Sequence, residues 1–257
     1  MKKLLLTSVL VMVLLATAVL ASSCSALGTK AGALQSVIIP STGTAYVVTD
    51  TSTTDDPQGL RDKNFSTQDF INVWYQWDVQ GTEKIISVGL TQFDLATLKG
   101  KDIKSATLQM YTTNVNFTQA ARLVDISLVD GTWDAKTVNF TNKPNWASSS
   151  IASSVVYGAG VWTSWDVSAS VAQKAKDGTV VSYAAGLDTM ADKSQEQALF
   201  ASQNIAAATP RLIVTYTASN SSLPMWVWIV GIVVIAIIAF LAGLMITRRR
   251  ASKSNIS

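Results

Sequence analysis

Between residues 37 and 217 the chain runs in short stretches of Val, Ile, Thr, Tyr and Trp, broken by Gly, Asn, Asp and Pro. Such residues suit a pleated, half-buried surface, and the breakers suit turns. Apolar and polar side chains alternate in Ile71-Asn72-Val73-Trp74-Tyr75, in Ala106-Thr107-Leu108-Gln109-Met110 and in Leu123-Val124-Asp125-Ile126. A period of two places one face of each strand on a core and the other in water. The expected strands are Thr44–Thr49, Asp69–Trp77, Ile85–Asp94, Ile103–Thr113, Arg122–Asp130, Val161–Val167, Val180–Gly186, Gln197–Ser202 and Arg211–Thr217. No long helix alternates with them, so an α/β architecture is excluded and an all-β sandwich or barrel is expected. One short helix is expected at Ser168–Lys176, with Ser168 as its cap and Val171 and Ala175 on one face.

Composition narrows the chemistry. The chain has no His and one Cys, which excludes His-based catalytic triads, His-ligated metals and an intrachain disulfide. The net charge is +3, but Lys2, Lys3, Arg248, Arg249, Arg250 and Lys253 lie near the ends. Residues 22–224 then hold 14 Lys and Arg against 17 Asp and Glu. A mildly acidic body is unsuited to nucleic acid. No motif marks a carboxylate pair, a phosphate-cradling loop or an activated nucleophile, so no enzyme activity is expected.

The ends set the compartment. Lys2 and Lys3, the apolar run Leu4–Leu20, and Val19-Leu20-Ala21 at a cleavage point read as a signal peptide over residues 1–21. Cys24 offers an imperfect site for lipidation, since Ala21 and Ser23 fill the positions where a lipobox has Leu and Gly or Ala. Residues 22–36 read as a spacer and Ala218–Pro224 as a linker. Met225–Ile246 carries no charge. As a helix it would span about 33 Å, enough for a ~30 Å hydrocarbon core. Trp226 and Trp228 sit at one end, and Arg248-Arg249-Arg250 opens a basic tail, 247–257, at the other. The positive-inside rule then puts the tail in the cytoplasm and the body outside, on a single-pass protein of the cell membrane.

Several segments resemble the DNRLRE domain, also described as carbohydrate-binding module family 96. They are Asn64-Phe65-Ser66 before Phe70-Ile71-Asn72-Val73, then Gln92-Phe93-Asp94-Leu95, then Ile103-Lys104-Ser105-Ala106-Thr107-Leu108. Gly131-Thr132-Trp133 with Thr137–Pro144, Trp162–Val167, and Phe200-Ala201-Ser202 with Pro210–Tyr216 follow in the same order. Ser66 stands where the family has Gly, Phe140 where it has Trp, and Ala135 where it has Glu. The resemblance implies a jelly-roll antiparallel β-sandwich over residues 37–217. It also implies a non-catalytic surface module that binds polysaccharide. A structural or adhesive envelope protein acting through protein partners is the alternative.

Glycan recognition needs aromatic faces that stack on sugar rings and fixed polar groups that read hydroxyls. Trp133 and Trp165 fall in motif positions and are expected in the core. If Ile71, Val73, Tyr75 and Trp77 face inward, Trp74 faces out with Asn72 and Gln76, which makes it the preferred stacking residue. Trp146 and Trp162 come next. Asp50, Asp55, Asp56 and Asp62 gather near one loop, a chemistry suited to structural calcium though without EF-hand spacing. Asn64, Asn116, Asn139 and Asn220 each begin an N-glycosylation triplet.

Overall fold

The computed structural model describes residues 33–50, 59–77, 84–117, 120–187, 195–217, 229–237, 240 and 243. The chain divides into two units, Met1–Ala218 and Ser219–Ser257. The first holds the strands β1 (Leu34–Pro40), β2 (Gly43–Asp50), β3 (Phe70–Trp77), β4 (Lys84–Asp94), β5 (Asp102–Asn116) and β6 (Arg122–Leu128). It continues with β7 (Ala152–Val156), β8 (Val161–Asp166), the helix α1 (Ser168–Ala175), β9 (Val180–Leu187), β10 (Gln195–Ala201) and β11 (Arg211–Thr217).

Every strand pairing among the described residues is antiparallel. The order along the sheet is β1-β11-β5-β10-β3-β4-β9-β6-β7, with β2 on β4 and β8 on β5. Two long strands make it curl. β4 pairs β2 along one edge, while its other edge passes from β3 to β9 between Ser87 and Gly89. β5 pairs β8 along one edge and passes the other from β11 to β10. A register shift at Leu199/Phe200 falls beside the exchange on β5, as a bulge that re-aims a strand does, and a second, at Thr215/Tyr216, lies near the far end of the β11–β5 pairing.

The curled sheet closes over one core to which each of the eleven strands contributes. Ile71, Val73, Phe93, Leu108, Met110, Ile126, Trp165, Phe200 and Leu212 are wholly buried in it. Trp165 on β8 stacks edge-on against Phe200 on β10, and its indole N–H donates to the carbonyl of Val124 on β6 at 2.8 Å. A buried Trp needs such an acceptor. Gly89 is a point of close approach within the core. A Cβ there would collide with Cγ2 of Ile71 and lie 3.3 Å from Cγ2 of Val73.

A second apolar cluster lies on the outer side. Ala45 and Val47 of β2, Leu90 of β4 and Ala184 of β9 face away from the main core and are covered by Val129, Val138, Trp133, Phe140 and Trp146. All of these covering residues belong to the long connection between β6 and β7. β2 and β9 are thus buried on both faces.

Nine strands fall on expected segments, with ends shifted by a few residues. β7 was not expected, because its two central serines hide the alternation. β1 begins three residues inside the stretch read as spacer, and its register Leu34↔Thr217 to Pro40↔Arg211 comes from pairing with β11 rather than from its own pattern. Pro40, which lacks an N–H, ends this edge strand, a position Pro tolerates. Helix α1 forms where expected, with Val171 and Ala175 fully buried. Its cap is corrected: Val167 holds the N-cap position and no side chain caps it. The Ser168 hydroxyl instead donates to Asp166 at 2.5 Å and accepts the Ala106 N–H at 2.9 Å. The Ser168 hydroxyl and then the Ser168 backbone N–H, which donates to Asp166 Oδ1 at 2.9 Å, hold the Asp166 carboxyl below its usual range.

The signal segment 1–21, Cys24, the linker 218–224 and the tail 247–257 lie outside the described residues. In the second unit, residues 229–237 are helical with exposed side chains. Among the described residues no helix is long and apolar enough to cross a membrane, and the expected span Met225–Ile246 extends beyond them.

Replacing Gly89 by Ala should destabilise the fold by about 1–3 kcal/mol, the usual cost of overpacking a core. The measurement is the urea midpoint at unchanged slope. An unchanged midpoint would mean that β3 does not lie against β4 at this point.

Candidate functional site

The outer cluster ends short of the sheet edge, and there the surface opens. A groove of about 300 Å³ is lined by Val88, Asp125, Ser127, Trp146, Ala147, Ser148, Ser150, Ala184, Gly186 and Leu187. Its volume is at the low end of small-ligand sites, ~300–1,000 Å³. Antiparallel register builds the floor: Asp125 is opposite Gly186, Ser127 opposite Ala184, and Leu90 opposite Ala184 on the next strand. Gly186 keeps the floor low, since a Cβ there would meet nothing. The wall is Trp146, placed by a bridge to Val129 and followed by the Ala147 N–H donating to Leu128 at 2.9 Å.

The groove combines one indole with several polar groups. Trp146 is half-buried, and Lys143 Nζ lies 5.6 Å from its ring centroid. The Ser153 hydroxyl donates to Oδ1 of Asp125. Ser127 donates weakly to the Ser149 carbonyl at 3.5 Å. Asp125 is the one ionisable side chain among the lining residues. An ionised carboxylate only accepts, whereas serine hydroxyls both donate and accept. The set can therefore bind hydroxyl-bearing ligands beside a flat apolar ring.

The β6–β7 connection, which roofs the outer cluster, is clasped by the turn before β3. Asn64 Nδ2 donates to the carbonyls of Ala135 and Val138, each at 2.7 Å, and Asn64 Oδ1 accepts the Ser66 N–H at 3.2 Å. Asn139 donates to the Asp62 carbonyl at 3.3 Å, and Thr141 to Asp62 Oδ1 at 2.6 Å. Phe140 lies between Lys143 Nζ, 4.1 Å from its centroid, and the Arg61 guanidinium at 5.9 Å. The Asn64 and Asn139 amides are thus committed to loop contacts, which sets them against glycan attachment in the folded state. Asn116 is exposed at the end of β5, and Asn220 lies outside the described residues.

The remaining expected site residues are dispersed. Trp74 is on the strand predicted, but the outward trio is corrected. Asn72 is only 7% exposed and accepts from Gln197 Nε2 at 3.0 Å. Trp74 and Gln76 are half-buried, and the Trp74 indole N–H is enclosed without an acceptor. Gln197, on the laterally paired strand β10, takes up the Asn72 amide oxygen, and alternation alone does not reveal such a neighbour. Trp77 belongs to β3, but its side chain lies outside the described residues. Trp162 is half-buried on β8, with Tyr111 edge-on at 5.4 Å and the Arg211 guanidinium 4.0 Å from its centroid. Arg211 is itself fixed by Gln109 at 3.0 Å, so one indole face is already occupied. Trp165 is in the main core, as expected, whereas Trp133 is half-buried against the outer cluster.

Of the four aspartates proposed for calcium, Asp62 spends its carboxylate on Thr141. Asp55, Asp56 and the Asp50 side chain lie outside the described residues. Among the described residues no group of three or more Asp, Glu, Cys or His is placed to hold a metal. Burial pushes the Tyr46 phenol up to about 12 and also raises that of Tyr183, which shares a 2.8 Å hydrogen bond with Ser170. Neither lines the groove.

Sequence reasoning reached Trp146 and missed Asp125, Ser127, Ser148, Ser150 and Gly186. The outward position of Asp125 was readable from Leu123-Val124-Asp125-Ile126. Its meeting with Trp146 depends on how the β6–β7 connection folds back.

The family-wide sequence model of carbohydrate-binding module family 96 matches residues 43–216. No curated protein matches this chain. Among solved structures, the Fe(II)/α-ketoglutarate-dependent dioxygenase TqaL aligns over 73% of this chain and 69% of its own. Its identity is 8% and its TM-score 0.17, which supports no argument about fold or chemistry.

Removing the Asn64 side chain as Asn64→Ala strands two carbonyls of the roof. The expected loss is about 2–4 kcal/mol of stability, from ~1–3 kcal/mol per unsatisfied partly buried group. Urea unfolding reads the loss, and faster proteolysis between residues 134 and 142 should accompany it. A variant with wild-type stability and protease resistance would show that the clasp does not hold the roof.

Proposed function

The chain belongs to carbohydrate-binding module family 96, and from that premise we propose that it is a non-catalytic module binding polysaccharide in the groove beside Trp146. The observation that carries the reading is the placing of one indole and the hydroxyl-reading groups Asp125, Ser127, Ser148 and Ser150 around a floor left open by Gly186. Stacking of a sugar's C–H face on the indole supplies affinity. Polar side chains at fixed positions supply orientation.

The module is displayed at the cell surface on a single membrane helix. The basic start and apolar run of residues 1–21 support export. The charge-free run Met225–Ile246 followed by Arg248-Arg249-Arg250 supports a membrane anchor with its C-terminus inside. Within that run, residues 229–237 are helical and present exposed apolar side chains, among them Ile235 at 69%.

The full-length chain in detergent should be retained by at least one immobilised polysaccharide. Trp146→Ala should weaken that retention roughly tenfold, about 1.4 kcal/mol, in line with the loss of an aromatic contact. Gly186→Leu should do the same by filling the groove, because its side chain enters open space. Retention unchanged in both folded variants would remove the groove from the reading, and no retention by any polysaccharide would remove the glycan itself. Protease added to intact cells should digest the body and spare the Arg-rich tail. Protection of the body would overturn the orientation.

A further inference from the structure

The β-rich body begins and ends at one pole. Leu34, the first residue of β1, is opposite Thr217, the last of β11, and Thr217 is opposite Asp102 at the start of β5. The turn between β4 and β5 lies there too, against the end of α1. The Gly100 N–H donates to the Ala175 carbonyl at 3.1 Å, and a Cβ on Gly178 would press on Lys99 at 2.8 Å. Five lysines gather at this pole. Lys99, Lys104 and Lys176 are exposed, while Lys101 and Lys174 are half-buried. Lys101 Nζ stands 5.8 Å from the Tyr216 ring centroid. The acids beside them are Asp94, Asp102 and Asp177. Asp102 is held by Lys104 at 2.6 Å and by Thr217 at 3.1 Å, and Asp94 accepts the Ala96 N–H at 2.8 Å. Asp166 lies farther along β5, opposite Thr107. The other end of β4 has the opposite character in sequence. The connections 51–58, 78–83 and 188–194, which continue from β2, β3 and β9, carry two acids each, with Lys193 among them and Lys84 beside them. The eleven residues of β4 separate the two ends by roughly 34 Å, at ~3.4 Å per step.

Resting on the reading that Met225–Ile246 anchors the chain, we infer that the lysine pole docks on anionic phospholipid headgroups and so stands the body upright on the membrane. Two observations carry this. The first is reach. Seven residues, Ala218–Pro224, separate Thr217 from Met225. Fully extended they span about 25 Å, so this pole stays near the lipid. Lys30, in the segment that leads into β1, adds a positive charge on the same side in sequence. The second is charge complementarity. Lysines at the tethered end are drawn to phosphates, and acids at the far end are repelled by them. Both forces fade within ~8 Å at physiological salt, so a body lying flat would bring its acidic end into the repulsive layer, whereas an upright one gains only the attraction. The posture also serves the groove. Val88, which lines it, is six residues from Asp94 on β4, so an upright body holds the groove roughly 20 Å above the lipid.

The test is lysine footprinting of the full-length chain in lipid nanodiscs. One set of discs is phosphatidylcholine alone, and the other is phosphatidylcholine mixed with phosphatidylglycerol. An amine-reactive ester labels exposed lysines, and mass spectrometry reads the rate at each. The proposal expects Lys99, Lys104 and Lys176 to react roughly threefold more slowly in the anionic discs, and the difference to vanish at high salt. Lys63 and Lys136, exposed away from this pole, should react equally in both. Lys176→Glu should remove most of the protection of Lys99 and Lys104, and Lys136→Glu should leave it intact. Equal rates at the pole in the two lipids would overturn the docking while leaving the anchor reading untouched. Slowing shared by Lys63 and Lys136 would mean that the body lies flat, which overturns the upright posture. Protection that persists in neutral discs or at high salt would overturn the role of charge. Extraction of the well-folded chain from the lipid by alkaline carbonate would instead remove the anchor reading on which this rests.

Discussion

The outer surface of this domain follows from the burial of β2 and β9 on both faces. Ala45, Val47, Leu90 and Ala184 point away from the main core, so the sheet presents a second apolar surface that water must not reach. Among the described residues, the long β6–β7 connection covers it. The connection does so with Val138, Trp133, Phe140 and Trp146, held down by Asn64, Asn139 and Thr141. Where this cover ends, Trp146 is left with one side against the sheet and the other over an open floor. The groove is thus the boundary of a packing solution rather than a separate insertion.

The main core carries a similar constraint in polar form. Glu196 is fully buried on β10, and Arg122 on β6, largely buried itself, meets it at 2.6 Å. A buried carboxylate persists only when paired and hydrogen-bonded. This pair spans β10 and β6, as the Trp165 N–H to the Val124 carbonyl spans β8 and β6. Both links anchor β6 across the core, and β6 in turn supplies Asp125 and Ser127 to the groove floor. The floor of the groove and the polar contents of the core are therefore fixed by the same strand.

How far the sequence could be read differs from one element to another. Strands with clear alternation, such as those holding Ile71-Asn72-Val73 and Ala106-Thr107-Leu108, were legible with their inward residues. β7 was not, because Ser153 and Ser154 interrupt the pattern and its pairing with β6 supplies the order. Trp74 shows the converse limit. Its parity was readable, but burial of the neighbouring Asn72 by partners on β10 was not, since parity names a face and cannot say what lies over it. Trp162 could be picked out as an aromatic, whereas the guanidinium of Arg211 on its ring comes from a strand far away in the chain.

By itself the sequence determined the all-β class, the inward set of most strands, the family and the absence of histidine chemistry. These depend on local period, residue type and ordered motifs, which survive without knowledge of neighbours. Tertiary structure alone decided that Trp146 rather than Trp74 borders the open groove, and that Asp125 and Gly186 meet there. Those facts require strands and loops far apart in the chain to be brought into register. Long-range pairing, not local propensity, sets that register.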